Sequence, residues 1–273
     1  MAKVGLLGHA KGYWLILLLG FSWLALLLVL VVAVDVLNLR TITSELARRD
    51  GEEAVVLWSH LFAEGGAAEV MQWLMLGLAA ALAFFASGWL RGIRANVRLE
   101  RFWLIMGMAL LLMLMEDAGN VRQAVSIYAG MLLGGAAGSA GEYLVFALIA
   151  LVPGLAVLWY WRLVWQLRRT RILLLGGFVA YGAAGIGSAL RRAWYEPAGW
   201  WVHEWIFAGR IAELPGVHYG FTHGFWLMDF LVEETMELIG ATLMAAAVAA
   251  FYADAGPCAA ALQPEQAGRW KSG

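Results

Sequence analysis

Four carboxylates stand where a greasy chain has least reason to carry them. Glu116 and Asp117 close the run LLLMLMED, and Glu234 and Glu237 lie in VEETMELIG. An acid at the centre of a membrane span costs roughly 2.5–3.5 kcal/mol on insertion scales, and less near the interface. Such groups therefore face the inside of a bundle and find partners. Glu233 and Glu237 are four apart and Glu234 and Glu237 three apart, so all three share one helical face. Like charges at that spacing repel, which favours a bound cation, a retained proton or a nearby arginine. Arg122, Arg191 and Arg192 are the available protein cations. The chemistry implied is binding or passage of a proton, a metal cation or a cationic ligand. Glu116, Asp117, Glu234 and Glu237 would form the pocket, with Glu69 at its mouth and Arg122 or Arg191 tuning the charge.

Two other readings use the same residues. In the first, a divalent metal is held by Glu116, Asp117 and Glu237 with His203 or His218, and activates water against a lipid-linked substrate. The histidines are His9, His60, His203, His218 and His223. His218 and His223 are five apart, which is not the i, i+4 spacing that aligns two ligands on a helix, and none lies in a metal motif. His203–Glu204 is the pair to test first. In the second reading the chain is a non-catalytic subunit. Its acids pair with arginines and its Trp-rich outer surface docks a membrane-protein partner. The sequence has no Ser-His-Asp order, nucleotide loop, H-E-x-x-H or defensible pair of haem ligands.

The elements that must position these groups are membrane spans. Hydrophobic residues make up 62% of the 273 positions and charged residues only 14%, too few to cover a water-facing surface. Nothing suggests nucleic-acid binding, because no basic face extends beyond short loops. A hydrocarbon core of about 30 Å needs about 20 apolar residues. Runs at roughly 13–35, 69–90, 102–121, 142–164, 172–191 and 227–252 meet that need. The expected fold is an all-α bundle of six transmembrane helices over residues 1–252, with a short flexible tail at 253–273. The first run reads as an uncleaved signal anchor.

Basic residues orient the bundle, since cytoplasmic loops retain Lys and Arg. With both termini inside, the inner segments hold Lys3, Lys11, Arg91, Arg94, Arg98, Arg101, Arg162, Arg168, Arg169, Arg171, Arg269 and Lys271, most of the 19 basic residues. Of the 20 acids, only Glu100, Asp254 and Glu265 lie on that side. At about 1.5 Å per residue, Glu116 stands about 23 Å from Arg101 and Glu237 about 26 Å from Asp254, both short of the outer boundary. Five of the six spans thus bring an ionisable group to one outer layer.

The connections carry their own signals. Residues 44–64 read as a short surface helix, and 199–213 as an amphipathic helix in the outer interface, with Trp201, Trp205 and Ala208 on one face. The run 134–141 (GGAAGSAG) reads as a flexible link. Gly176, Ala180, Ala184 and Ser188 form a small-residue packing stripe. Asp35 is expected to end the first span in water. The single cysteine, Cys258, excludes an internal disulfide.

Three segments, FAEGGAAEVMQW (62–73), LMLMEDAGNVRQ (112–123) and LVEETMELIGATL (231–243), together resemble a group of uncharacterised bacterial multi-pass membrane proteins. Members share an acid-Gly-x-x-Glu start, an adjacent Asp/Glu pair and a Glu-Glu-x-x-Glu-x-x-Gly helix. The resemblance implies a six-helix architecture and a common acidic site, and supplies no activity; the expected location of the chain is a bacterial inner membrane. Where such proteins often carry His-Glu after the acidic pair, this chain has Arg122-Gln123, a cation in place of a metal ligand.

Overall fold

The computed structural model describes residues 12–37, 39, 56–94, 96–214 and 220–261. Among these residues six helical segments are long and apolar enough to cross a bilayer: Gly12–Val36, Leu57–Gly92, Val97–Gly119, Gly135–Trp159, Arg168–Ala189 and His223–Ala255. The architecture is all-helical and that of a multi-pass membrane protein. In chain order the helices are Gly12–Val31 (α1), Leu57–Phe62 (α2), Ala67–Gly92 (α3), Val97–Gly119 (α4), Val121–Leu133 (α5) and Gly135–Trp159 (α6). Then come Trp161–Gln166 (α7), Arg168–Ala189 (α8), Arg191–Trp201 (α9), His223–Trp226 (α10) and Glu234–Ala261 (α11). Wider π-helical turns continue α1 at Val32–Val36, continue α9 at Val202–Ile206, and join α10 to α11 at Leu227–Glu233.

The chain divides into two compact units. One holds Leu19–Gln72 and Val179–Gly240. Its core gathers Leu24, Leu27, Val31, Trp58, Phe62, Ile211, Leu227 and Leu231. Polar anchors fix that core, because no water is there to replace them. The indole of Trp23 donates to Ala67 O at 3.0 Å and that of Trp58 to Ala212 O at 2.8 Å. Ala180, Ala184 and Ser188 are buried along α8, so the upper part of the small-residue stripe faces inward.

Asp35 departs from the sequence reading. It is not in water but 3% exposed, at the π-helical end of the first span. Its carboxylate accepts from the backbone N–H of Leu57 at 3.2 Å and of Trp58 at 2.7 Å. Those are orphan donors of the first turn of α2, and a carboxylate suits a helix N-terminus on both hydrogen-bonding and dipole grounds. Of the surface helix expected at 44–64, Leu57–Phe62 is helical, and residues 44–55 lie outside those described.

The other unit comprises Met1–Leu18, Trp73–Phe178 and Ala241–Gly273. Asn96 caps α4 by accepting from Arg98 N at 2.9 Å, and Asn120, left-handed at φ 45°, ends it. Trp103 and Phe251 pack at 4.8 Å, and the Tyr252 hydroxyl donates to Leu82 O at 2.7 Å. Asp254 accepts from both N and Oγ1 of Thr170, capping the start of α8.

The Gly-rich run is a second correction. Rather than a link, Gly135 onward is the first part of α6, which packs antiparallel on α5 after a turn at Gly134 with φ 95°. A Cβ at Gly138 would stand 2.7 Å from Ser126 O, and one at Gly141 3.0 Å from the Val125 side chain. The small residues let two backbones touch, as in membrane helix pairs.

Replacing Asp35 by Ala strands two buried N–H groups and should lower unfolding stability in detergent by about 1–3 kcal/mol. Asp35→Asn, which keeps an acceptor, should lose less. Thermal unfolding read by circular dichroism checks this, and a wild-type melting curve for Asp35→Ala contradicts the cap.

Candidate functional site

The residues singled out in the sequence fall in both units. Glu116, Asp117 and Arg122 belong to the unit with α4–α6, and Glu69, Glu234, Glu237 and Arg191 to the other.

The second group is the more deeply built. Glu237, 8% exposed, accepts from the side-chain amide of Gln72 at 2.8 Å, and Gln72 also reaches the Tyr181 hydroxyl at 3.5 Å. Gln72 itself is fully buried. Two turns before Glu237, Asp229 pairs with Arg191 at 3.6 Å. Between them Glu233 accepts from the Tyr195 hydroxyl at 2.7 Å. A regular α-helix would carry Glu237 about 80° past Asp229 over that interval. The wider turn at Leu227–Glu233 takes up part of that overshoot, so Asp229, Glu233 and Glu237 line one side.

Tyr195 reports the convergence. Burial first, and then the Glu233 carboxylate with Asp229 and Glu237 beyond it, push its hydroxyl above the ordinary tyrosine value of 10.0. Three carboxylates therefore bear on one neutral phenol. Tyr195 donates to Glu233 and stays protonated while it does so.

Glu69 is 5% exposed and accepts from the backbone N–H of Gly65, tying the turn that starts its own helix. Gly65 has φ 74°, and a Cβ at Gly66 would stand 2.6 Å from Ala63 O, so the Gly-Gly pair is required by that turn. Glu234 is half-buried on the adjoining face of α11.

In the other unit Arg122 sits between two acids, 3.5 Å from Glu116 and 3.9 Å from Glu142, with its guanidinium 4.4 Å from the centre of the Phe146 ring. Asp117 is half-buried beside Glu116. This arrangement joins the end of α4 and the start of α5 to α6 through a cation held by charge and by an aromatic face.

The histidines resolve differently from the sequence reading. His203 faces not Glu204 but His223: Nδ1 of His203 is 3.1 Å from Nε2 of His223, and both rings are buried. Trp200 packs edge-on against both, and Trp58 against His223. Leu214 N–H donates to His223 Nδ1 at 3.2 Å, which makes that nitrogen the acceptor. Nε2 of His223 then carries the proton and donates to His203 Nδ1, leaving the His203 Nε2–H toward Glu213 at 3.9 Å. A metal on His223 Nε2 would require a proton on Nδ1, opposite a backbone N–H. The two rings thus continue one chain of hydrogen bonds from Leu214 N–H to His203. His218 lies outside the described residues, and among those described no group of three or more His, Cys, Asp or Glu is placed to hold a metal ion.

Sequence reasoning missed Gln72, Tyr181, Tyr195, Asp229 and His223 as partners. Asp229 was within reach of it, since it continues the four-residue spacing of Glu233 and Glu237. The others are neutral side chains on distant segments. Comparison with family models, with curated proteins and with solved structures finds no match for this chain.

The Tyr195 environment makes a spectroscopic prediction. Subtracting the absorbance of Tyr195→Phe from that of the wild type should leave no phenolate band as pH rises through 10.0. The folded protein resists losing this proton, so in that range the unfolded state binds fewer protons and stability falls as pH increases. A Tyr195 phenolate appearing at its ordinary pH in the folded protein contradicts the buried carboxylate cluster.

Proposed function

We propose that this protein, in a bacterial inner membrane with both termini cytoplasmic, binds or conducts a proton, a metal cation or a cationic ligand. The site is an acidic one in the outer leaflet half of its spans. The orientation rests on the basic residues, which crowd the segments placed inside. The reading is carried by Glu237, an acid in the apolar last span held by the neutral amide of Gln72 at 2.8 Å. That amide orients the carboxylate, and in this reading the same carboxyl gains and loses the proton or meets the cation. Glu233 on Tyr195 follows the same pattern. Intramembrane acids arranged one per turn serve as proton relays and ion paths in membrane proteins generally. Glu69 and Glu234 are the further acids of the proposed site in the unit that holds Glu237, with Arg191 setting its charge, and Glu116 and Asp117 with Arg122 form a separate acidic group in the other unit.

A second reading has support of its own. Arg122 with Glu116 and Glu142, and Arg191 with Asp229, are ion pairs that join helices. They favour a non-catalytic subunit whose acids are structural and whose exposed Trp201 and Trp205 meet a membrane partner.

Uptake into vesicles separates the two. With purified protein in liposomes, a pH-sensitive dye and a cation-sensitive dye should report uptake driven by a membrane potential. Glu237→Gln should reduce it at least about tenfold, the equivalent of about 1.4 kcal/mol, with little change in melting. Uptake that persists in both Glu237→Gln and Glu233→Gln, or is absent from the wild type, rejects the leading reading.

A further inference from the structure

We propose that a cavity at the joint between α6 and α7 binds the phosphate of an anionic lipid headgroup through Arg98 and Arg162. The site is separate from the acidic cluster and does not depend on it. The cavity measures about 240 Å³ and is lined by Arg98 from the first turn of α4 and by Trp159, Tyr160, Trp161 and Arg162 around the joint. No carboxylate lines it. Two other arginines at this end are already engaged: Arg91 pairs with Glu100 at 3.0 Å, and Arg171 lies 3.9 Å from the Trp165 ring centre. Among the described residues the guanidiniums of Arg98 and Arg162 have neither hydrogen bond nor ion pair. Two planar guanidinium forks around a cavity with no acid fit a tetrahedral oxyanion.

The joint is rigid enough to hold them. Leu163 N and Val164 N both donate to Tyr160 O, and the Tyr160 ring packs against Phe102 at 5.8 Å. That contact ties the α6 end to α4, which carries Arg98.

The surroundings choose a lipid over free phosphate. Trp159 and Trp161 are 85% and 46% exposed, and indole rings settle at headgroup depth. Leading away from the cavity, Leu158, Leu155 and Leu151 are exposed at helical spacing on one side of α6. That strip offers a bed for acyl chains below a headgroup held by the arginines. Basic pockets between helices at this boundary are suited to anionic lipids.

Native mass spectrometry of the full-length protein, with phosphatidylglycerol or phosphatidylcholine added to detergent, tests the proposal. The wild type should retain phosphatidylglycerol preferentially, and Arg98→Gln with Arg162→Gln should weaken retention about 10- to 30-fold. Arg168→Gln with Arg169→Gln, which removes the same charge away from the cavity, should retain it as the wild type does. Equal loss in both double variants, or loss in neither, overturns the proposal. Inorganic phosphate is the second probe. If it binds with the same dependence on Arg98 and Arg162 and displaces the lipid, the oxyanion site stands and the lipid assignment is overturned.

Discussion

A polar group inside an apolar solvent must bring its own partner, and this chain solves that problem repeatedly with groups far apart in sequence. Asp35 serves the start of α2, Asp254 the start of α8, and Trp58 reaches Ala212 O. Glu237 meets Gln72. Each contact satisfies a buried donor or acceptor and at the same time fixes which segments lie side by side. Most of the packed surface is Ala, Leu and Gly, and such residues specify position weakly. The sparse polar contacts decide register.

The same constraint gives the acids partners of more than one kind. Glu116 and Glu142 meet Arg122, and Asp229 meets Arg191, contacts that hold helices together. Glu237 and Glu233 are oriented by an amide and a phenol. In the proposed reading these two are the acids that exchange a proton or meet a cation. The wider helical turn at Leu227–Glu233 brings Asp229 toward the side occupied by Glu237.

The fold was legible where it depends on local composition. Apolar runs long enough to cross a bilayer appear in the sequence and reappear as helices, most ends shifted by a few residues and the starts of the second and fourth by more, because span length is set by the solvent. Connections were harder. Glycine at 134–141 reads as flexibility when taken residue by residue, yet Gly138 and Gly141 are there for the close approach of α5. Asp35 reads as a span end, yet it is buried because the first turn of α2 needs an acceptor. Within the candidate site the acids could be found by their cost in an apolar run. Arg122 and Arg191 could be named as cations, but the neutral partners could not, because Gln72 and Tyr195 are unremarkable as sequence and acquire meaning only by position. A 3.6-residue period also cannot reveal a π-helical turn.

The contact between Glu237 and Gln72 carries the most weight, and a double-mutant cycle measures it directly. Unfolding free energies in detergent would be compared for the wild type, Gln72→Leu, Glu237→Leu and the double variant. A coupling of at least about 0.6 kcal/mol, the average found for hydrogen bonds between membrane helices, is the predicted result. Strict additivity would mean that the two side chains do not meet, and that the acid in the last span is held in some other way.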